Sequence, residues 1–308
     1  HISYLLHDLP AGPEPVMLFS GDFVFVGDVG RPDLLEEAAG MAGTKEAGAR
    51  QMFGSLQRFR ELPEFVQVWP AHGAGSACGK ALGAVPGSTV GYELRTGWAF
   101  AIEDEEEFVS VLLEGQPEAP SYFAMMKRLN KEGAAVLGSL PKPKRLDAAR
   151  FAALRDQGYQ VVDARDRHAY AGGHVPGSLN IPNDGTFSNW AGWLLSYETP
   201  IVLVAPAREI DGLVRKLVRI GLDSIEGYLP SFDEWMDEGM TVSTVEQITP
   251  EALQLGDEST VVLDVRSYTE HDAGRIPGSI NIHAGQLVRR ADEIPDDRTL
   301  IVHCETEI

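Results

Sequence analysis

Cysteine is the most nucleophilic side chain this sequence offers, and it offers two, Cys78 and Cys304. Cys304 ends the apolar run Leu300-Ile301-Val302-His303, which reads as a core strand delivering a thiol to the loop beyond it. In a tight loop at a helix start, backbone N–H groups converge on such a sulfur, favour the thiolate and lower its pKa. A thiolate held in that way can take a sulfur atom from a donor as a persulfide and pass it on. The next residues, Glu305-Thr306-Glu307-Ile308, place two carboxylates beside the thiol, and these disfavour an anion there. The alternative is a small hydrophobe closing a core strand. Cys78 lies in the small-residue loop Gly73–Gly79, where backbone or ligand can approach closely, and is read as structural. His7, His168, His271, His283 and His303 show neither i, i+4 nor His-x-His spacing and are given no role.

The segment around the thiol belongs to a repeat. Asp163-Ala164-Arg165 followed by His174–Ile181 returns as Asp264-Val265-Arg266 followed by Arg275–Ile282 at an offset of 101 residues, with eight identities in nineteen positions. Solenoid units recur every ~20–50 residues, so this spacing means two copies of one small domain. The first copy's matching stretch, Ile201-Val202-Leu203-Val204, ends at Ala205. Alanine carries no sulfur, and Pro206 removes one N–H donor from the loop. The first copy is therefore expected to play a structural or docking role. Asp163, Arg165, Asp264 and Arg266 are expected to make charged hydrogen bonds that hold loops.

Three regions are expected to position these residues: 1–142, 143–244 and 245–308. The first opens with short strands at Ile2–Leu6, Val16–Ser20 and Phe23–Val26. A helical stretch follows over about Pro32–Glu61, then a strand at Val66–Trp69 and helices within 105–137. From Arg145 the pattern is helix Asp147–Gln157, strand Tyr159–Ala164, strand Ile201–Val204 and helix Ile210–Ile220. Strands alternating with helices argue a parallel α/β sheet. Thr249-Pro250-Glu251 reads as a capped helix start, followed by strands at Val261–Val265 and Leu300–Cys304. The second copy is expected to be incomplete, lacking the helix and last strand that the first copy has.

Composition limits the partners. At 44% hydrophobic and 23% charged, the 308 residues are ordinary globular protein. No apolar run reaches membrane-spanning length. The net charge of −20, from 26 basic against 46 acidic residues, argues against nucleic acid. The run Glu103–Glu107 reads as solvated helix surface. Two cysteines in different regions suit a reducing cytoplasm better than a disulfide.

The two copies resemble rhodanese domains, on the strand Val-Asp-x-Arg, the segment Gly-x-Ile/Val-Pro-Gly-Ser-x-Asn-Ile and the strand ending at a cysteine position. The resemblance implies a persulfide relay on Cys304. Residues 1–140 are similar to the C-terminal half of a metallo-β-lactamase-fold domain, and most of all to iron-dependent persulfide dioxygenases fused to rhodanese domains. The matching stretches are His1-Ile2-Ser3, Ser20-Gly21-Asp22, Gly27-Asp28-Val29-Gly30-Arg31-Pro32-Asp33-Leu34 and Pro70–Lys80.

That resemblance implies the fold class: α/β, a partial αββα metallo-β-lactamase sandwich followed by two rhodanese-like parallel domains. It implies His1 and Asp22 as metal ligands, the third ligand belonging to a His-x-His-x-Asp-His motif absent from these residues. One carboxylate and two imidazoles form the triad that suits Fe(II); with two of the three, this stretch alone is expected to hold little metal. His72 matches a second-metal ligand of binuclear relatives, the alternative being a loop-structuring role. Arg31 is a candidate for binding a substrate carboxylate, against a salt bridge to Asp28 or Asp33. The expected activity is oxidation of glutathione persulfide, or another low-molecular-weight persulfide, to sulfite, with sulfane sulfur transfer to give thiosulfate. A zinc thioester hydrolase of the glyoxalase II type and a non-catalytic scaffold are the alternatives. No nucleic-acid or membrane partner is expected, and a homodimer is allowed.

Overall fold

The protein was analysed as a computed structural model that describes residues 2–37, 43–73, 83–116, 119–253 and 259–304. It divides into two compact units, His1–Ala119 and Pro120–Ile308. Among the described residues no helix is long and apolar enough to cross a membrane.

The first unit is built on a four-stranded sheet in the order β1 (Tyr4–His7), β2 (Pro15–Gly21), β3 (Gln67–Pro70), β4 (Ser88–Thr89). β1 and β4 run antiparallel to their neighbours, whereas β2 and β3 are parallel. Side chains alternate between faces. Leu18 and Val68, paired across β2 and β3, are buried against Leu56 and Phe59 of the helix Thr44–Arg60 and Phe108 and Leu112 of the helix Glu105–Leu113. On the opposite face Tyr4, Phe19 and Trp69 form a row across three strands and remain 65%, 46% and 40% exposed. The described helices thus cover one face of this sheet, the geometry of half of a two-sheet sandwich.

The acidic run does more than solvate a surface. Asp104 caps its helix by accepting from Glu107 N–H at 2.9 Å. Glu105 and Glu106 grip Arg50 of the neighbouring helix, at 3.3 and 2.6 Å. The expected strand at Phe23–Val26 is instead a buried turn, with only a Val24–Val29 bridge. Gly21, at φ 58°, turns the chain out of β2, and Val24 and Phe25 bury as loop residues. The expected helix over Pro32–Glu61 is found as Leu34–Glu37 and Thr44–Arg60.

In the second unit a five-stranded parallel sheet runs β5 (Lys144–Arg145), β9 (Ile225–Leu229), β8 (Ile201–Val204), β6 (Gln160–Asp163), β7 (Leu179–Asn180). β8 is buried at all four residues, because helices cover both faces. Leu203 packs with Phe187, Ala191, Leu213 and Leu217 on one face. Val202 and Val204 pack with Phe151, Leu154 and Trp235 on the other. A smaller sheet, β11 (Ile280–Asn281), β10 (Thr260–Asp264), β12 (Thr299–His303), is also parallel throughout. Its order reproduces β7-β6-β8. Only a 3₁₀ turn, Pro250–Ala252, forms at the expected helix start after Thr249, and Thr249 makes no side-chain cap there.

Candidate active sites

Parallel strands gather functional residues beyond their carboxyl ends, and both candidate sites lie at such ends. In the small sheet the register pairs Asp264 with His303, and Val265 N–H donates to the His303 carbonyl at 3.1 Å. Cys304 is therefore the first residue past β12. It is a free thiol, half-buried, and packs on Leu263, Val265 and Ile282. In the large sheet Asp163 pairs with Val204, and Ala164 N–H donates to Val204 at 3.0 Å. Ala205 thus occupies the position of Cys304. The acidic loop, Glu305–Ile308, lies outside the described residues.

Behind the thiol strand, Asp264 is wholly buried. Its carboxylate accepts from Arg266 N–H at 3.0 Å, from Arg266 Nε at 3.0 Å and Nη2 at 2.7 Å, and from His271 Nδ1 at 2.9 Å. His303 Nε2 lies 3.5 Å away. Burial alone would raise this carboxyl, but the hydrogen bonds from Arg266 and His271, with the charge of His303, outweigh it and hold it well below the usual carboxylate range. The first copy repeats the frame: Arg165 grips Asp163, and Asn180 Nδ2 donates to the Asp163 and Arg165 carbonyls at 3.0 Å each. Asn281 does the same to Asp264 and Arg266, again at 3.0 Å each. The aspartates and arginines hold their loops as expected. The copies part at the histidines. Tyr170 stands where His271 stands, and Val204 where His303 stands, so among the described residues no imidazole meets the first copy's aspartate. His271 and His303, given no role from spacing, meet because one comes from the helix Tyr268–Ala273 and the other from a strand. The signal that could have found them was the Tyr-to-His difference at one repeat position. His174 packs its ring on Tyr170 at 3.8 Å and serves the loop.

In the first unit β2 and β3 end together, Ala71 N–H donating to the Gly21 carbonyl at 3.0 Å. That parallel pairing brings Asp22 and His72, far apart in sequence, to an Oδ1–Nδ1 distance of 2.7 Å, both side chains exposed. Gly30 presses on the same turn: a Cβ there would lie 2.0 Å from the Asp22 carbonyl oxygen. Arg31 is buried and its guanidinium pairs with Asp33. Asp28 instead accepts from Val29 N–H and Trp98 Nε1, at 2.8 and 3.0 Å. His1 and Cys78 lie outside the described residues, and among the described residues no three His, Cys, Asp or Glu are grouped to hold a metal. An imidazole and a carboxylate at one strand end are nevertheless donors that Fe(II) and Zn(II) accept, so Asp22 and His72 fit a metal in kind.

Two classes of fold account for these sites. Residues 147–238 and 250–308 match the family model of the Rhodanese-like domain. The chain is similar to a metallo-beta-lactamase from Staphylococcus aureus subsp. aureus COL, at 43% identity and a TM-score of 0.66, over 74% of this chain and 64% of that one. The chain thus spans less than two thirds of that protein's structure. A thiosulfate sulfurtransferase from Pseudomonas aeruginosa is 19% identical over 54% of this chain and 43% of its own, with a TM-score of 0.28. Among curated proteins, the HTH-type transcriptional regulator Rv0324 of Mycobacterium tuberculosis (strain ATCC 25618 / H37Rv) is 42% identical over 43 residues, 14% of this chain and 19% of that protein. The architecture is therefore mixed α/β, a metallo-β-lactamase-like unit followed by rhodanese-like parallel sheets.

Proposed function

We propose that this chain is part of a sulfur-metabolising enzyme that oxidises a low-molecular-weight persulfide to sulfite in its first unit and moves sulfane sulfur on Cys304 in its second. The observation that carries this reading is one chain holding both a strand-end Asp22–His72 pair on a metallo-β-lactamase-like unit and a strand-end thiol on a rhodanese-like sheet. For glutathione persulfide the balance is GSSH + O₂ + H₂O → GSH + H₂SO₃. Fe(II), held by Asp22, His1 and a histidine outside these residues, would supply the redox chemistry with dioxygen. His72 orients the Asp22 carboxylate through their hydrogen bond.

At the second site the Cys304 persulfide gives its outer sulfur to sulfite, Cys–S–S⁻ + SO₃²⁻ → Cys–S⁻ + S₂O₃²⁻. The S–S bond breaks, a new S–S bond forms on sulfite, and the thiolate is returned. This chemistry suits a reducing cytoplasm. Purified full-length protein loaded with iron should consume dioxygen and release sulfite on addition of glutathione persulfide. An enzyme that takes up no oxygen sinks the proposal.

The Asp22–His72 contact also favours a second reading, a binuclear zinc hydrolase of thioesters, because His72 stands close enough to serve a second cation. Metal content separates the two: one iron per chain supports the oxidation, two zinc ions the hydrolysis.

A further inference from the structure

The helix Phe187–Leu194 of the first copy turns Phe187 and Ala191 into its own core. Trp190, which also packs against that core, and Trp193, three residues further on, share the adjoining face of the helix. That face meets the second copy. The His283 ring lies 6.3 Å from Trp190, nearly parallel to it, and 5.2 Å from Trp193. Gly285 is buried there, and a Cβ on it would fall 2.4 Å from two ring carbons of Trp193. Only glycine lets the indole approach this turn so closely. His283 Nδ1 accepts from Gly285 N–H at 3.2 Å and closes the turn from within.

The clamped turn is joined to the thiol strand through one residue. Ala284 N–H donates to the Val265 carbonyl at 3.0 Å, and Val265 N–H donates to the His303 carbonyl at 3.1 Å. Ala284, Leu287 and Cys304 pack on the same small core of Leu263, Val265 and Ile282. In its last turn the clamping helix is held by Ser121 Oγ, which donates to the Gly192 and Trp193 carbonyls at 3.2 and 3.0 Å.

We propose that the copy lacking the thiol is a positioning platform: Trp190 and Trp193 hold the His283–Gly285 turn and, through Val265, set the place of Cys304. Trp190, Trp193 and Gly285 are positioning residues in this account. It rests on the reading of Cys304 as a sulfur carrier, while its geometry stands apart from that reading.

The test uses the full chain and the variants G285A, W193A and W193F, with three readouts. These are amide exchange at Ala284 and Val265, iodoacetamide alkylation of the Cys304 peptide by mass spectrometry, and cyanide-releasable sulfur. G285A and W193A should raise exchange and alkylation about tenfold, the change expected from losing one local closing contact, and should lower sulfur loading. Exchange in the first copy at Leu203 and Val204 should stay at its wild-type value. W193F, which keeps a ring over Gly285, should stay near wild type. Unchanged exchange at Ala284 and unchanged Cys304 alkylation in both G285A and W193A overturn the platform. A wild-type protein that carries no cyanide-releasable sulfur refutes the carrier reading of Cys304 instead, and the first two readouts still decide the platform.

Discussion

Asp264 has no exposed surface, yet it stays ionised because Arg266, His271 and His303 all face it. Removing one partner of a buried charge leaves the other unmatched, at a cost of about 3–5 kcal/mol. Asp264→Asn should therefore destabilise the second copy by that order, measured as a lowered denaturant midpoint. The carboxyl sits below its unfolded value of ~3.9, so its contribution is present above that pH and is lost as pH falls through the folded value. The wild-type acid transition should steepen below about pH 4 and flatten in D264N; equal slopes would refute this account. The strand-end positions of Cys304 and Ala205 were legible in the sequence because an apolar run fixes where each strand stops. The imidazoles were not, since contact between a helix and a strand leaves no fixed spacing. Arg31, weighed as a substrate group against a salt bridge, lies buried against Asp33.

At the scale of elements, short helices depend on their caps. Ser267 and Glu270 form a reciprocal capping box at the start of the helix that carries His271 to Asp264. Ser267→Ala should cost about 1 kcal/mol and shift the His271 ring resonances in NMR, whereas an unshifted ring would mean the helix is held by packing alone. In the first unit Gly30→Ala drives a methyl into the Asp22 carbonyl. Overpacking of that kind costs about 1–3 kcal/mol, and metal uptake by iron-reconstituted full-length protein should fall with it. Uptake equal to wild type would show that Asp22 tolerates the shift. The segment Phe23–Val26 shows where periodicity misleads. Its Phe-Val-Phe-Val run has the composition of a strand, but a positive-φ glycine before it and Gly27 after it make it a buried turn. Apolar composition records burial, and burial alone does not choose extended pairing.

For the whole molecule, the Asp22–His72 pair proposed to serve a metal and the thiol Cys304 belong to separate compact units. Chelation should therefore abolish oxygen uptake while cyanide-releasable sulfur on Cys304 stays at its untreated level; loss of both would place the two chemistries in one site. The repeat made the parallel sheets of the second unit legible, because a duplicated strand-and-turn pattern cannot arise from local propensity alone. The exposed Tyr4–Phe19–Trp69 row was not legible, because alternation in β1 and β2 does not say which side a helix will cover.

The duplication also has a cost in folding. β6 and β10 each pair with a ribbon reading Pro-Gly-Ser-x-Asn-Ile, anchored by Asn180 or Asn281 at a separation of 17 residues. Each of these two strands thus has a near-identical wrong partner on the same chain, roughly five times farther away for Asn180 and Asp264. Loop closure favours the near partner by only about 1.4 kcal/mol, about tenfold in encounter. Side-chain chemistry does little to separate the choices, so chain length sorts them, and crossed pairing between copies is the expected misfolding route.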